Sequence, residues 1–104
     1  MENQQIAKII LNQLGGGKFV AMTGANNFCA TDRGLSFRLP SRFAKKGINF
    51  VHIILNKIDL YDIEFGKVWG IKYNIISTQK SIYADHLRDI FKSETGLDTS
   101  LENS

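Results

Sequence analysis

Residues 50–75 read FVHIILNKIDLYDIEFGKVWGIKYNI, and the alternation within them decides the fold class. In Phe50-Val51-His52-Ile53-Ile54-Leu55 one side of a strand carries Val51, Ile53 and Leu55 and the other Phe50, His52 and Ile54, so neither side is plainly polar and both need cover. Asn56-Lys57-Ile58-Asp59 suits a hairpin connection. Beyond it Tyr61, Ile63 and Phe65 alternate with Leu60, Asp62 and Glu64. Gly66-Lys67 reads as a turn, after which Trp69, Ile71, Tyr73 and Ile75 form a core-facing stripe against Val68, Gly70, Lys72 and Asn74. Connections this short leave no room for a crossover helix, so the strands are expected to form an antiparallel meander.

Working upstream, Leu35, Phe37 and Leu39 alternate with the water-facing Ser36 and Arg38, and Pro40 closes that strand. Phe28-Cys29-Ala30-Thr31 reads as its partner, joined through Asp32-Arg33-Gly34, with Cys29 as a small buried group. The β-branched and aromatic content of residues 18–23 predicts one more short strand, followed by a turn at Gly24-Ala25-Asn26-Asn27. Ile6, Ile9, Ile10 and Leu14 recur at helical spacing and predict a helix over 2–14, stopped by Gly15. Downstream, Ser81 is a candidate N-cap for a closing helix bearing Tyr83, Leu87, Ile90, Phe91 and Glu94 and ending at Gly96. The expectation is an α+β fold: a mostly antiparallel meander of about four to six strands, a helix at each end of the chain, and the C-terminal helix packed on the sheet. Residues 1–97 are read as one domain and 98–104 as a frayed tail, and no internal repeat is evident.

The chain has 104 residues, 43% hydrophobic and 22% charged, an ordinary globular balance. No apolar run approaches the ~20 residues that cross a bilayer, and no basic N-terminal leader is visible, so a cytoplasmic protein without a membrane role is expected. A single cysteine excludes an internal disulfide and a cysteine zinc framework. The net charge of +3 conceals segregation: between Lys18 and Lys57 seven cations face the single acid Asp32, whereas Asp59, Asp62 and Glu64 follow without a base. A basic middle of this kind permits an anionic partner.

Four parts of the chain stand out together: Gln13-Leu14-Gly15-Gly16-Gly17-Lys18-Phe19-Val20-Ala21-Met22-Thr23-Gly24-Ala25-Asn26-Asn27, Leu35-Ser36-Phe37-Arg38-Leu39-Pro40, Asp59-Leu60-Tyr61-Asp62-Ile63-Glu64-Phe65, and Tyr83-Ala84-Asp85 continuing to Thr95-Gly96-Leu97. Through them the chain, across most of its length, resembles a family of small bacteriophage- and prophage-encoded proteins of unknown function. It implies a genomic setting in which small proteins bind and redirect host or phage nucleic-acid machinery, inhibitors of CRISPR defences among them. It carries no catalytic residue with it.

Arg38, Arg42, Phe43, Lys45 and Lys46 combine cations with an aromatic, the residue types that neutralise phosphates and stack on bases, and they are the candidate site for nucleic acid or for a nucleic-acid-bound protein. Phe50, Ile54, Leu60 and Val68 are the candidate apolar surface for a homodimer, unless the first helix covers them. Gly15-Gly16-Gly17-Lys18 lacks the spaced glycine and following Ser/Thr of a phosphate loop, and it leaves a helix instead of entering one. Asp59, Asp62 and Glu64, of which Asp62 and Glu64 share a strand face, have two readings, a divalent cation of the kind a metal-dependent nuclease uses or cross-strand pairing with Lys72 and Asn74, and the pairing is the one expected. His52 and His86 have no ligand-spaced neighbour and the serines lack a nucleophile elbow, so neither an enzyme, a metal nor a cofactor is expected.

Overall fold

Strand alternation and helical spacing gather one set of apolar side chains between the helices and the sheet. The computed structural model describes residues 2–99. In chain order the elements are α1 (Asn3–Leu14), α2 (Gly17–Thr23), β1 (Asn26–Thr31), β2 (Gly34–Arg38), a 3-10 turn (Lys45–Gly47), β3 (Phe50–Leu55), β4 (Tyr61–Trp69), β5 (Lys72–Ile82), a second 3-10 turn (Ala84–His86) and α3 (Leu87–Thr95). The five strands make one antiparallel sheet ordered as they occur in the chain. This is the α+β meander that the alternation predicts.

The core lies between the helices and one face of the sheet. Leu35 and Phe37 of β2, Val51 and Ile53 of β3 and Tyr61, Ile63 and Phe65 of β4 meet Ile6, Ile10 and Leu14 of α1, Phe19 of α2 and Leu87 and Phe91 of α3. Phe19 sits at the centre, edge-on to Phe37 at 5.5 Å and to Phe91 at 5.1 Å between ring centroids. All three helices contribute to this one cluster, so α1 does not cover the other sheet face.

Residues 18–23, expected as a strand, are helical. Gly15 and Gly16, both at positive φ, reverse the chain after α1 and start α2. Phe19 and Thr23, one helical turn apart, are then both fully buried, and burial outweighs a local β propensity worth only tenths of a kcal/mol per residue. Thr23 Oγ1 donates to the Phe19 carbonyl at 2.7 Å and accepts from the Ala25 amide at 3.2 Å. Thr95 repeats this at the end of α3, donating to Phe91 at 2.7 Å and accepting from Leu97 at 3.2 Å. A capping element thus does recur: Phe19 to Ala25 and Phe91 to Leu97 share phenylalanine, threonine and glycine at the same spacing, with Gly24 and Gly96 both left-handed.

The turn expected at Gly66-Lys67 falls instead at Gly70-Ile71, where Trp69 pairs with Lys72. β4 therefore continues through Gly66, with a register shift against β5 between Phe65 and Gly66, and residues 67–74 extend past the start of β3, whose first residue Phe50 lies opposite Gly66. The stripe read as core is split and exposed: Trp69 is 43%, Ile71 104%, Tyr73 41% and Ile75 58% accessible. Register places Val68 opposite Tyr73 and Trp69 opposite Lys72, so Trp69 and Tyr73 stand on opposite sides of the overhang.

Other expectations shift for similar reasons. Cys29 is exposed, because β1 is an edge strand, while Ser36 is buried, because it is flanked by Cys29 and His52 in the middle of the sheet. Ser81 caps no helix: it lies within β5, next to its last residue, at positive φ with its amide on Asp62 Oδ1 at 2.9 Å, and the helical turns begin only at Ala84. Tyr83 is consequently exposed. Within the expected tail, Asp98 pairs with Lys92 at 2.9 Å and Thr99 is buried, and 100–104 lie outside the described residues. Among the described residues no helix is long and apolar enough to cross a membrane.

Candidate binding surface

In a meander successive connections alternate between the two ends of the sheet. The β2–β3 and β4–β5 connections therefore share one end, and the β1–β2 and β3–β4 connections, with Asp32 and Asp59, share the other. The shared end collects residues 38–50 and 66–75, which contain Arg38, Arg42, Lys45, Lys46, Lys67 and Lys72 and no acid. Lys67 and Lys72 are not read as site residues in the sequence, where Lys67 falls in a turn and Lys72 on the following strand as a partner for the acids.

The basic loop is pinned at its base. Ala44 and Ile48 are buried, and Leu39 donates its amide to the Asn49 carbonyl at 2.9 Å. Ala44, and not Phe43, is the loop's apolar anchor: Phe43 is 54% exposed. Arg42 and Lys46 hold φ of 64° and 59°, a left-handed conformation that costs a non-glycine residue roughly 1–2 kcal/mol. The Lys45 stem lies against Gly96 at the end of α3, where a cation also complements the helix dipole. Lys67 reaches over Gly47, with its Nζ 3.4 Å from where a methyl group there would stand, and lies 5.7 Å from the Trp69 ring.

Asn49 joins loop and hairpin. Beyond Gly66 the backbone of β4 has no strand beside it on the β3 side, and the buried Asn49 side chain takes that place. Its Nδ2 donates to the Val68 carbonyl at 2.9 Å and its Oδ1 accepts from the Val68 amide at 2.7 Å. Buried amides and carbonyls demand partners. The requirement is satisfied across nineteen residues of chain, a separation at which no local pattern announces it.

Arg38 is set apart from the other cations. It lies opposite Phe50 on the sheet face away from the helices, half-buried, with Nε enclosed and without an acceptor. That face also carries Phe50, Ile54 and Val68 of the candidate apolar set, each half-buried, while half-buried Leu60 precedes β4 at the far end. Tyr73 packs edge-on to Phe50 at 5.5 Å, directly over Gly66, where a Cβ would stand 2.3 Å from its ring. Its hydroxyl donates to Glu64 at 2.5 Å, and burial together with this carboxylate raises the phenol's pKa well above the ordinary value.

Asp62 and Glu64 pair with neither Lys72 nor Asn74, because the shifted turn sets those residues opposite Trp69 and Lys67. Asp62 instead accepts from Asn56 at 3.1 Å and from the Ser81 amide. Among the described residues no three His, Cys, Asp or Glu side chains converge on a common point. The ion pairs among the described residues, Arg33–Asp59 at 3.8 Å and Lys92–Asp98, leave Arg38, Arg42, Lys45, Lys46 and Lys67 without a carboxylate partner.

His52 meets Thr31 Oγ1 at 2.9 Å and lies opposite Ser36 and Glu64. Burial lowers its pKa below 6.5, with Glu64 opposing in part. A lowered base favours the neutral form in the fold, so its stabilising share is complete above pH 6.5 and declines as pH falls from there towards the folded value. Urea midpoints are expected to drop between pH 7 and 5, and His52→Gln to flatten that slope. A wild-type midpoint independent of pH over the range contradicts this role.

Comparison with protein-family models, with curated proteins and with solved structures returns no match to this chain.

Proposed function

We propose that the protein is a non-enzymatic binding protein that engages nucleic acid, free or held in a nucleic-acid-handling complex, through Arg42, Phe43, Lys45 and Lys46 together with Lys67, Trp69 and Lys72. One observation carries the reading: the meander brings two acid-free basic segments to the same end of the sheet, with exposed aromatics between the cations. Lysine and arginine release counterions from phosphates, and Trp69 and Phe43 offer faces to unpaired bases. A phage or prophage setting, including inhibition of host defence complexes, suits a protein of this class. Arg38 is left out of this set because it lies on the sheet face that also bears Asp62 and Glu64.

Fluorescence polarisation of a labelled oligonucleotide tests the reading. With four or five phosphate contacts, affinity is expected to fall roughly 100-fold between 50 and 200 mM salt. Lys46→Glu is expected to weaken binding severalfold, and Lys45→Glu with Lys46→Glu to abolish it. Binding that ignores salt, or a charge-reversed double variant that binds like the parent, contradicts the proposal.

A further inference from the structure

β5 is the last strand of the sheet, and among the described residues no strand pairs with its outer edge. Open edges are ordinarily blunted by charge, proline or shortness, yet β5 runs from Lys72 to Ile82 and its stretch from Tyr73 to Gln79 holds neither charge nor proline. An apolar strip runs out to this edge. Phe50 lies opposite Gly66, Gly66 opposite Ile75 and Val68 opposite Tyr73, all on the sheet face away from the helices. Its outermost side chains, Ile75 and Tyr73, are 58% and 41% accessible. Contiguous apolar surface beside unpaired backbone marks an interaction site.

The hairpin turn sets which main-chain groups the edge offers. Gly70, at φ 59°, and Ile71 form a two-residue turn between Trp69 and Lys72. Trp69 and Lys72 are then the hydrogen-bonded closing pair, and alternation points the main-chain groups of Lys72 and Asn74 at β4 and those of Tyr73 and Ile75 outward. The regular stretch ends at Ile76, the extra residue of the bulge, which packs against the core.

Residues 72–76 are complementary to themselves. A twofold axis perpendicular to the sheet at Asn74 lays β5 antiparallel to β5 of a second copy. Asn74 then stands opposite its equivalent, Tyr73 opposite the partner's Ile75 and Lys72 opposite the partner's Ile76. The outward groups of Tyr73 and Ile75 meet across the seam and exchange main-chain hydrogen bonds. On one face each apolar strip continues into the other, and on the opposite face the Lys72 stem covers Ile76 while the two Asn74 amides meet. The two Lys72 residues lie about 14 Å apart along the strands, beyond strong repulsion. Centring the axis on Ile75 instead sets Tyr73 opposite Ser77, which the bulge has turned to the helix side with Phe65. A second β5 also arrives already extended, whereas an unstructured segment loses conformational entropy on pairing. β1, the other outer strand, offers less regular backbone, with Asn27 at positive φ and a register shift between Asn26 and Cys29.

We propose that two copies of the chain pair edge to edge through residues 72–76 of β5, giving one continuous antiparallel sheet with all helices on the same side. Lys67 and Trp69 stand on β4, one strand back from the seam, and stay outside the contact.

Light scattering of the nucleic-acid-free chain over a wide dilution series tests it, independently of the anion-binding reading. The wild-type chain is expected to weigh as two copies when concentrated and one when dilute. Ile75→Pro, which removes an outward N–H and no bond to β4, is expected to be monomeric throughout with unchanged far-UV circular dichroism. In a Cys29→Ser background, Asn74→Cys is expected to give a covalent dimer with oxidised glutathione, because a non-hydrogen-bonded pair holds its Cα atoms about 4.5 Å apart, within disulfide reach. Lys72→Cys, about 14 Å from its equivalent, is expected to stay uncrosslinked. A wild-type chain that is monomeric at every concentration overturns the proposal and leaves the edge to an extended segment of another protein. A dimer that Ile75→Pro leaves intact overturns it too, as does one crosslinked as readily through Lys72→Cys as through Asn74→Cys.

Discussion

Phe19→Ala is expected to be the most damaging single truncation of the strand-contacting aromatic core, lowering stability by about 3–5 kcal/mol. Phe19 is fully buried, and its ring touches those of Phe37 on β2 and Phe91 on α3, so its loss opens a cavity where helix layer and sheet meet. Domains of this size have only about 5–15 kcal/mol in total, and each kcal/mol corresponds to roughly 4–8 °C in Tm. Thermal melting is therefore expected to shift by at least 10–20 °C on that conversion. Phe19→Leu, which refills most of the volume, is expected to recover a large part of the loss. A Phe19→Ala variant melting within a few degrees of the parent contradicts the placement of α2. A strand over 18–23 alternates its side chains between faces and gives Phe19 and Thr23 no shared turn to close with a threonine cap.

Asn49→Ala is expected to release the β4–β5 overhang. The substitution deletes both side-chain hydrogen bonds to Val68 and leaves that residue's amide and carbonyl without their partner. An orphaned buried group costs about 1–3 kcal/mol, but Val68 is half-exposed and water replaces part of the loss, so about 2 kcal/mol in total is expected. The same release reaches binding. Lys67, Trp69 and Lys72 sit on the freed segment, and holding them beside Lys46 again costs conformational entropy on binding. Oligonucleotide affinity is expected to fall about tenfold, equivalent to 1.4 kcal/mol, with amide exchange accelerated at Val68 and spared at Ile53 in the core of β3. Asn49→Asp, which keeps an acceptor for the Val68 amide but sets a carboxylate against its carbonyl, is expected to weaken binding as well. Unchanged exchange at Val68 in Asn49→Ala contradicts the tether.

The helical state of residues 18–23 leaves a trace in the sequence. The Phe91-to-Leu97 spacing that ends the closing helix is present in Phe19 to Ala25, and reading the two together points to a helix end at Thr23-Gly24. The β4–β5 turn offered no such clue. Gly66-Lys67 and Gly70-Ile71 are both acceptable turn sites, and the choice between them depends on residues far away in the chain. Gly66 is needed in mid-strand because Tyr73 packs on it, and Tyr73 packs there because the turn comes four residues later. The basic loop was legible as a cluster of cations, but its companions Lys67, Trp69 and Lys72, and the separation of Arg38 onto the other face, were not.

What the amino-acid order alone determines is the set of local periodicities. An apolar side chain every second residue makes strands within 34–38, 50–55 and 61–69, spacing of three and four makes a helix of 3–14 and a closing helix through Leu87, Ile90 and Phe91, and short polar joints make the strands antiparallel. These follow from burying one face of each element, a requirement met within a few neighbouring residues. Which face of the sheet the helices cover, where the last hairpin turns and which cations stand together were decided by tertiary structure. Those outcomes rest on contacts between segments distant in the chain, such as Asn49 with Val68 and Phe19 with Phe91. The energy that selects them exists only once the segments have met.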